Sequence, residues 1–391
     1  MKHEGIEYMK KIKNYAYVIV FVAIVVGLGF LSFRKLVNFY VNQERDYNEW
    51  TPELGSKFET DVASTFYNKF GFVNLNGAVR NVLGQPSMNG VVKLNNGYLL
   101  ATINYCSDEV LQEYADSTIR FNDYLENRGT ALVYVSPPCT SSKYDPQFPT
   151  GIEDYGNDNI DRFMEMIRSA GVDTIDFRET MHEEGIDHYD MMYRTDHHWT
   201  TEAGFYAYGI LEDYIVEKTG CNVDVRVSDI NNYTVTTYPK WHLGSNGQRT
   251  GIYYAGIDDF NLIIPDFETT LQNSEGTVGS MQDLMINMEP LANKDYTSRY
   301  TYDYVMGGSL GNYTNLNCKN DIRILIITDS FGKAVGPYLA MGFQQIYYVY
   351  DRSSTVVTPE FIENFDPDVV IMMYYPSFLQ ERSGAFSFDG F

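Results

Sequence analysis

The sequence predicts an α/β domain, an open and mostly parallel sheet with helices, carrying an irregular β-rich insertion and one N-terminal transmembrane helix. Three observations predict it. Short apolar runs alternate with stretches of helical periodicity between 107 and 176, and again from 321 to 375. Alternation of that kind points to parallel strands buried between helices. The stretch between, 221–320, loses the pattern and is rich in Asn, Thr, Tyr, Gly and Asp. Residues 15–33, YAYVIVFVAIVVGLGFLSF, carry no charge, and that length at about 1.5 Å per residue crosses a hydrocarbon core.

The N-terminus divides into a tail (1–14), an anchor (15–33) and a polar, aromatic stalk (34–60). Lys10, Lys11 and Lys13 precede the apolar run, and Arg34 and Lys35 follow it. This balance slightly favours a cytoplasmic N-terminus with the rest of the chain outside the cytoplasm. A cleaved signal peptide is the competing reading, but the run is long for one and no A-x-A site follows it. Residues 61–391 form the globular domain. Asn96-Gly97, between VVKL and YLLATI, is a hairpin turn. Ser107 caps a helix that runs toward Gly129, with Val110, Leu111, Tyr114, Ile119, Phe121 and Leu125 on its apolar positions. ALVYVSPP reads as a buried strand, NIDRFMEMIRSAG as a helix and VDTIDF as a second strand. Thr200 or Thr201 caps the next helix, whose face is Ala203, Ala207, Ile210, Leu211 and Tyr214. Within the insertion, YTVTTY and FNLIIPDF read as short strands. The α/β pattern returns with the strand Ile324–Ile327, a turn and a helix, then QIYYVY, and finally FIENFDPDVVIMMYY as helix and strand.

Charge and composition limit the function. A net charge of -23 argues against nucleic acid as a partner. The 33 tyrosines offer apolar faces with polar tips, which suit sugar surfaces and equally suit ordinary packing. Cys106, Cys139, Cys221 and Cys318 make no C-x-x-C pair, so spacing leaves disulfides and free thiols both open.

Chemistry concentrates in YRTDHHWT, residues 193–200. Only six histidines occur in the chain, and two adjoin Asp196 here. In an extended segment residues i and i+2 point the same way, which pairs Asp196 with His198 and turns His197 toward substrate or core. Trp199 either walls the site or fills the core, the wall being slightly favoured. The carboxylate would hold the imidazole tautomer, and the other ring nitrogen would take a proton from a nucleophile. Ser330 suits that part: it sits between the strand Ile324–Ile327 and a helix, at the C-terminal sheet edge, where free amides and the helix dipole favour an oxyanion. Gly332 would allow close approach of substrate. A zinc site on the same residues is the rival, but adjacent histidines chelate one ion poorly and no spaced third ligand is evident, so no metal and no cofactor is expected.

YRTDHHWTTEAG together with LIITDSFGKAVGPYLA resembles the DHHW family. That family is related to the SGNH-like (GDSL-type) O-acetyltransferases of alginate and other exopolysaccharide modification systems. Those enzymes carry a D-x-H-W block upstream of a G-D-S-F block, a permuted order compared with ordinary SGNH hydrolases. The resemblance spans roughly residues 61–385 and implies a three-layer SGNH-hydrolase-like fold. It implies Ser330 as nucleophile, His198 as base and Asp196 as its orienting acid. Thr328 departs from the pattern, standing where the usual block has Gly. Asn246, Gly247 and Arg249, in the donor-rich LGSNGQRTG, are weaker candidates for the cleft or the oxyanion hole, and Arg352 and Tyr374 with Tyr375 are weaker substrate contacts at the sheet edge. The function implied is an extracytoplasmic O-acetyltransferase acting through a serine acetyl-enzyme on a cell-surface or secreted polysaccharide. A membrane-embedded acyltransferase would supply the acetyl group. The same triad suits a carbohydrate acetyl esterase, and Thr328 leaves open a non-catalytic glycan-binding protein.

Overall fold

Short-range sequence signals account for the first elements of the chain. The computed structural model describes residues 2–41, 62–294, 296–297, 299–350, 356–381, 383–388 and 390–391. It divides into two units, Met1–Asn76 and Gly77–Phe391. In the first, helix α1 (Lys2–Val41) holds the apolar run. Its span Tyr15–Phe39 has a mean hydropathy of 2.6 and, among the described residues, is the one helix long and apolar enough to cross a membrane. The helix continues through Arg34 and Lys35, because Leu36, Val37 and Phe39 prolong the apolar stretch. Most of the expected stalk, residues 42–61, lies outside the described residues. Helix α2 spans Lys69–Val82.

The second unit opens with a small antiparallel sheet of β1 (Ser87–Met88), β2 (Val91–Lys93) and β3 (Leu99–Leu100). The Asn96-Gly97 turn joins β2 to β3: Gly97 takes φ +92°, and Leu94 N–H donates to Tyr98 O at 2.8 Å. The left-handed φ explains the glycine. Ser107 caps α3 (Asp108–Glu126), accepting from Val110 N–H. Then follow β4 (Ala131–Ser136), α4 (Gly156–Ser169), β5 (Asp173–Asp176), α5 (Phe177–Glu183) and α6 (Thr201–Thr219). Thr200, not Thr201, caps α6, and Gly220 ends it at φ +68°.

From the insertion come β6 (Tyr233–His242), α7 (Ser245–Thr250), β7 (Asp258–Pro265), β8 (Leu271–Asn273), β9 (Val278–Gly279) and β10 (Tyr313–Asn315). The C-terminal part supplies β11 (Arg323–Thr328), α8 (Gly332–Gly342), β12 (Gln345–Tyr350), α9 (Pro359–Phe365) and β13 (Val369–Met373). The main sheet has eight strands in the order β5-β4-β13-β11-β12-β10-β8-β9. The five strands read from apolar runs are the parallel ones, β5 through β12 in that order. The insertion is more ordered than its composition suggests. Strands β10, β8 and β9 extend the sheet in antiparallel fashion, and β6 and β7 form a separate long ribbon.

Alternation along β11 shows why its four inner residues, Ile324–Ile327, are all apolar. Ile324 and Ile326 join a core with Ala203, Ala207 and Leu211 of α6 and Ala334, Val335 and Leu339 of α8. Leu325 and Ile327 join the opposite core, with Phe121 of α3, Ile160 and Phe163 of α4, and Ile362 of α9. Successive side chains point to opposite faces, so a strand covered on both needs apolar residues at every position. The result is a three-layer α/β/α domain. The four cysteines stand as free thiols, with Cys106 and Cys139 buried.

Candidate active site

Strand β11 ends at Thr328 and α8 begins at Gly332, leaving Ser330 in the turn between. Since β11 lies between β13 and β12, that turn opens from an interior strand at the C-terminal edge of the parallel strands. Asp329 ties it down: its carboxylate accepts from Phe331 N–H at 2.8 Å and from Tyr375 N–H, just beyond β13, at 2.7 Å. Tyr302 Oη donates to Ser330 O at 3.0 Å, and Trp199 Nε1 to Phe331 O at 3.1 Å. Gly332 makes room for Thr328, not for substrate: a Cβ on it would lie 2.6 Å from Thr328 Cγ2. Thr328 thus fits the turn because Gly332 has no side chain. The expected array of free amides is smaller than supposed. Phe331 N–H goes to Asp329, Gly332 N–H to Asp329 O at 3.2 Å, and Lys333 N–H to Ser330 O at 3.2 Å. Of these four successive amides, only that of Ser330 makes no hydrogen bond among the described residues.

The Asp196 loop is curled, not extended. Met192 and Trp199 form an antiparallel bridge, and Tyr193 N–H donates to His198 O at 3.1 Å. His198 Nδ1 lies 3.2 Å from Asp196 Oδ2, and its Nε2 lies 2.6 Å from Ser330 Oγ. The structure therefore brings Asp196, His198 and Ser330 into one hydrogen-bonded series. His197 does not turn away, as extended geometry would require. Its backbone N–H donates to Asp196 Oδ1 at 2.8 Å, its Nδ1 lies 3.1 Å from that oxygen, and its ring centroid is 3.9 Å from that of His198. The insertion completes the shell. Ser245, opening α7, gives Asp196 Oδ1 its hydroxyl at 2.8 Å and its amide at 3.2 Å. His242, at the end of β6, places Nε2 3.2 Å from Asp196 Oδ2. Asp258 of β7 accepts from both Thr195 N–H and Thr195 Oγ1 at 2.7 Å, fixing the residue before Asp196. The Tyr302 ring stacks on His198 at 4.4 Å.

These contacts set the charges. Burial alone would raise the Asp196 carboxyl, but the His198 charge, hydrogen bonds from His197 and His198, and the His242 ring close by hold it well below the usual range. Burial, then repulsion by His197, lowers His198 against the pull of Asp196, which favours the neutral imidazole. His197 moves up: burial opposes this, but the Asp196 hydrogen bond and charge prevail, and a third of its side chain is exposed. Ligand atoms of Asp196, His197 and His198 lie within 4.8 Å of one another, the one such trio among the described residues. Each Nδ1 already faces an Asp196 oxygen and His198 Nε2 faces Ser330, so a metal ion would have to displace the hydrogen bonds that organise the site.

A cavity of about 530 Å³ opens on Ser330, bordered by His197, Thr328, Asp329, Tyr350, Tyr375 and Phe378 among others. Several weaker candidates lie elsewhere. Trp199 is 1% exposed and belongs to the core, so it supports the Ser330 turn instead of walling the cleft. Asn246 is buried and donates to Leu99 O at 2.9 Å. Gly247 packs where a Cβ would meet Leu243 Cδ1 at 2.5 Å. Arg249 reaches Asn89 O at 2.7 Å. That segment backs Asp196 instead of lining an oxyanion hole. Tyr374 is buried against Phe378 and Phe386, whereas its neighbour Tyr375 lines the cavity and stacks on Phe331 at 4.9 Å. Arg352 lies outside the described residues. Sequence reading missed His242, Ser245, Asp258 and Tyr302. Only His242 carried a signal, as one of six histidines.

Comparison with known proteins agrees with this architecture. Residues 100–222 match the family model for the SGNH hydrolase-like domain of acetyltransferase AlgX, a span that includes Asp196 and His198 but not Ser330. Among solved structures, Bacillus cereus PatB1 superposes with a TM-score of 0.59 at 22% identity, over 76% of this chain and 99% of that one. A DHHW family protein from Eubacterium siraeum superposes with a TM-score of 0.54 at 18% identity, over 77% of this chain and 95% of that one. A search of curated proteins finds no significant match. At these identities the solved structures establish the fold. The chain carries an SGNH hydrolase-like α/β domain, matched in sequence over residues 100–222 and sharing its architecture with PatB1 and a DHHW family protein.

Proposed function

We propose that this chain is an O-acetyltransferase that carries an acetyl group on Ser330 and passes it to a hydroxyl of a polysaccharide. The observation that carries the reading is the series Asp196–His198–Ser330, with a His198 Nε2 to Ser330 Oγ distance of 2.6 Å at the edge of an open cavity. In the first half-reaction Ser330 Oγ attacks the acetyl carbonyl carbon of the donor, and His198 Nε2 takes its proton. The carbonyl oxygen becomes an oxyanion within reach of the Ser330 amide. Collapse breaks the donor's acyl bond, and His198 returns the proton to the leaving atom. In the second half-reaction a sugar hydroxyl gives its proton to His198 as its oxygen attacks the acetyl-serine. Collapse releases the acetylated sugar and returns that proton to Ser330 Oγ.

The AlgX family model is that of an acetyltransferase, which supports acetyl as the group moved. The likeness of the two motif blocks to exopolysaccharide O-acetyltransferases supports a polysaccharide acceptor. The apolar helix Tyr15–Phe39 supports a single-pass anchor. In this reading the domain lies outside the cytoplasm and receives acetyl groups by way of a membrane-embedded acyltransferase. The test is to supply the detergent-solubilised full chain with an activated acetyl ester and oligosaccharides. Acetyl should appear on the sugar, and Ser330→Ala should abolish its appearance. Rapid deacetylation of an acetylated glycan, with no acceptor ever gaining acetyl, would instead make the protein an esterase. Glycan binding with no Ser330-dependent turnover would make it a binding protein.

A further inference from the structure

We infer that His197 is the acceptor-binding residue, its Nε2 hydrogen-bonding a hydroxyl of the incoming sugar, while its neighbour His198 serves Ser330. This rests on the transferase reading above. His197 borders the cavity beside Ser330 and keeps 34% of its side chain exposed, whereas the side chain of His198 is 3% exposed.

Counting protons fixes what His197 presents. Ser245 has one hydroxyl proton, and it goes to Asp196 Oδ1 at 2.8 Å, since a carboxylate can only accept. Toward His197 Nδ1, 3.0 Å away, Ser245 Oγ can therefore only accept. Nδ1 must carry the hydrogen, shared between Ser245 Oγ and Asp196 Oδ1. Nε2 is then the nitrogen left for a ligand, since it makes no hydrogen bond among the described residues: it accepts from a hydroxyl when the ring is neutral and donates to a hydroxyl oxygen when the ring is protonated. The arrangement is a fixed, pre-oriented hydrogen-bonding partner for an O–H group, set on the wall of the cleft and held by the same carboxylate that holds the base. The ring is further confined by Tyr375, edge-on at 5.4 Å, and by His198 at 3.9 Å. Little rotational freedom remains to be lost when a sugar binds. An acetyl-enzyme that must favour a sugar over water needs such an orienting contact, because positioning is the sugar's main advantage over abundant solvent.

The experiment reads the partition of a single intermediate. The full-length protein is charged with p-nitrophenyl acetate in the presence of an oligosaccharide that the wild type acetylates. Acetyl-sugar and free acetate are then both quantified. Both products arise from the same acetyl-enzyme, so their ratio is independent of how fast Ser330 was acetylated. His197→Asn keeps a donor near the Nδ1 position toward Asp196 and Ser245 but removes the nitrogen facing the cleft. It should lower the ratio of sugar acetate to free acetate by about tenfold or more, the size of one lost oriented hydrogen bond. His197→Gln, whose amide oxygen can occupy the Nε2 position, should restore part of the ratio. A merely structural role would lower both products together and leave the ratio unmoved. An unchanged ratio in both variants overturns the assignment. Should the wild type form no acetyl-sugar with any acceptor, the transferase reading itself fails, an outcome distinct from an unchanged ratio.

Discussion

At Asp196 one carboxylate meets three imidazoles and a serine, so each neighbour changes the others. Burial and the His197 charge both lower His198, while Asp196 raises His197. As pH falls, His197 takes a proton first and its charge keeps His198 neutral. Activity that needs neutral His198 is lost only as pH drops through the lowered His198 value. The acid limb of kcat/KM for a small acetyl ester should therefore lie below the ordinary histidine value of 6.5. His197→Asn removes the repulsion and should move that limb upward, which a pH profile of the two proteins would read directly. A limb unmoved or shifted downward would contradict the coupling. His198→Ala should be far more costly, approaching the roughly million-fold loss seen when a serine protease loses its base. Spacing made Asp196 and His198 readable as a pair, since residues two apart in an extended segment point the same way. The reason given by extended geometry was incomplete. The Met192–Trp199 bridge curls the loop, so adjacent His197 reaches the same carboxylate.

Two helices hold the two halves of the site in register. α6 starts just after the Asp196 loop and α8 just after Ser330, and they pack together at Gly204. A Cβ on Gly204 would lie 2.3 Å from Ala334 Cβ and 2.6 Å from Ala334 O. Gly204→Ala should push the helices apart, costing about 1–3 kcal/mol of stability by overpacking. It should also lower ester turnover by more than the folded fraction falls, because His198 and Ser330 would separate. Denaturant melts alongside kcat would show both effects. Gly244 is tighter still: an added Cβ would lie 2.2 Å from Asp196 Cβ. Gly244→Ala should displace the acid and cost activity even where the fold survives, as read by circular dichroism beside the ester assay. The parallel strands and these helices were legible because the interior strands β11 and β13 are apolar at nearly every position and helices repeat every three to four residues. The 221–320 segment was not. His242 and Asp258 are brought together by the long-range pairing of β6 with β7, while Ser245 opens α7 and Tyr302 sits on the short helix Thr301–Val305. Alternation in short Asn- and Thr-rich strands carries no mark of which partner they will meet.

At the scale of the molecule, a chain of net charge -23 carries an apolar N-terminal helix and, after it, a domain with a serine-centred site. If the domain lies outside the cytoplasm, protease added to intact cells should digest it and leave a short membrane-bound stub. Protection until lysis would contradict that placement. The central claim is covalent: Ser330, activated by His198, carries the acetyl group between donor and acceptor. It is tested most directly by rapid quenching of the protein with an activated acetyl ester, followed by intact mass and peptide mapping. The account predicts one added acetyl on the peptide containing Ser330, absent in Ser330→Ala, accumulating without acceptor and discharged when oligosaccharide is added. An acetyl group found elsewhere, or turnover that persists in Ser330→Ala, would contradict it.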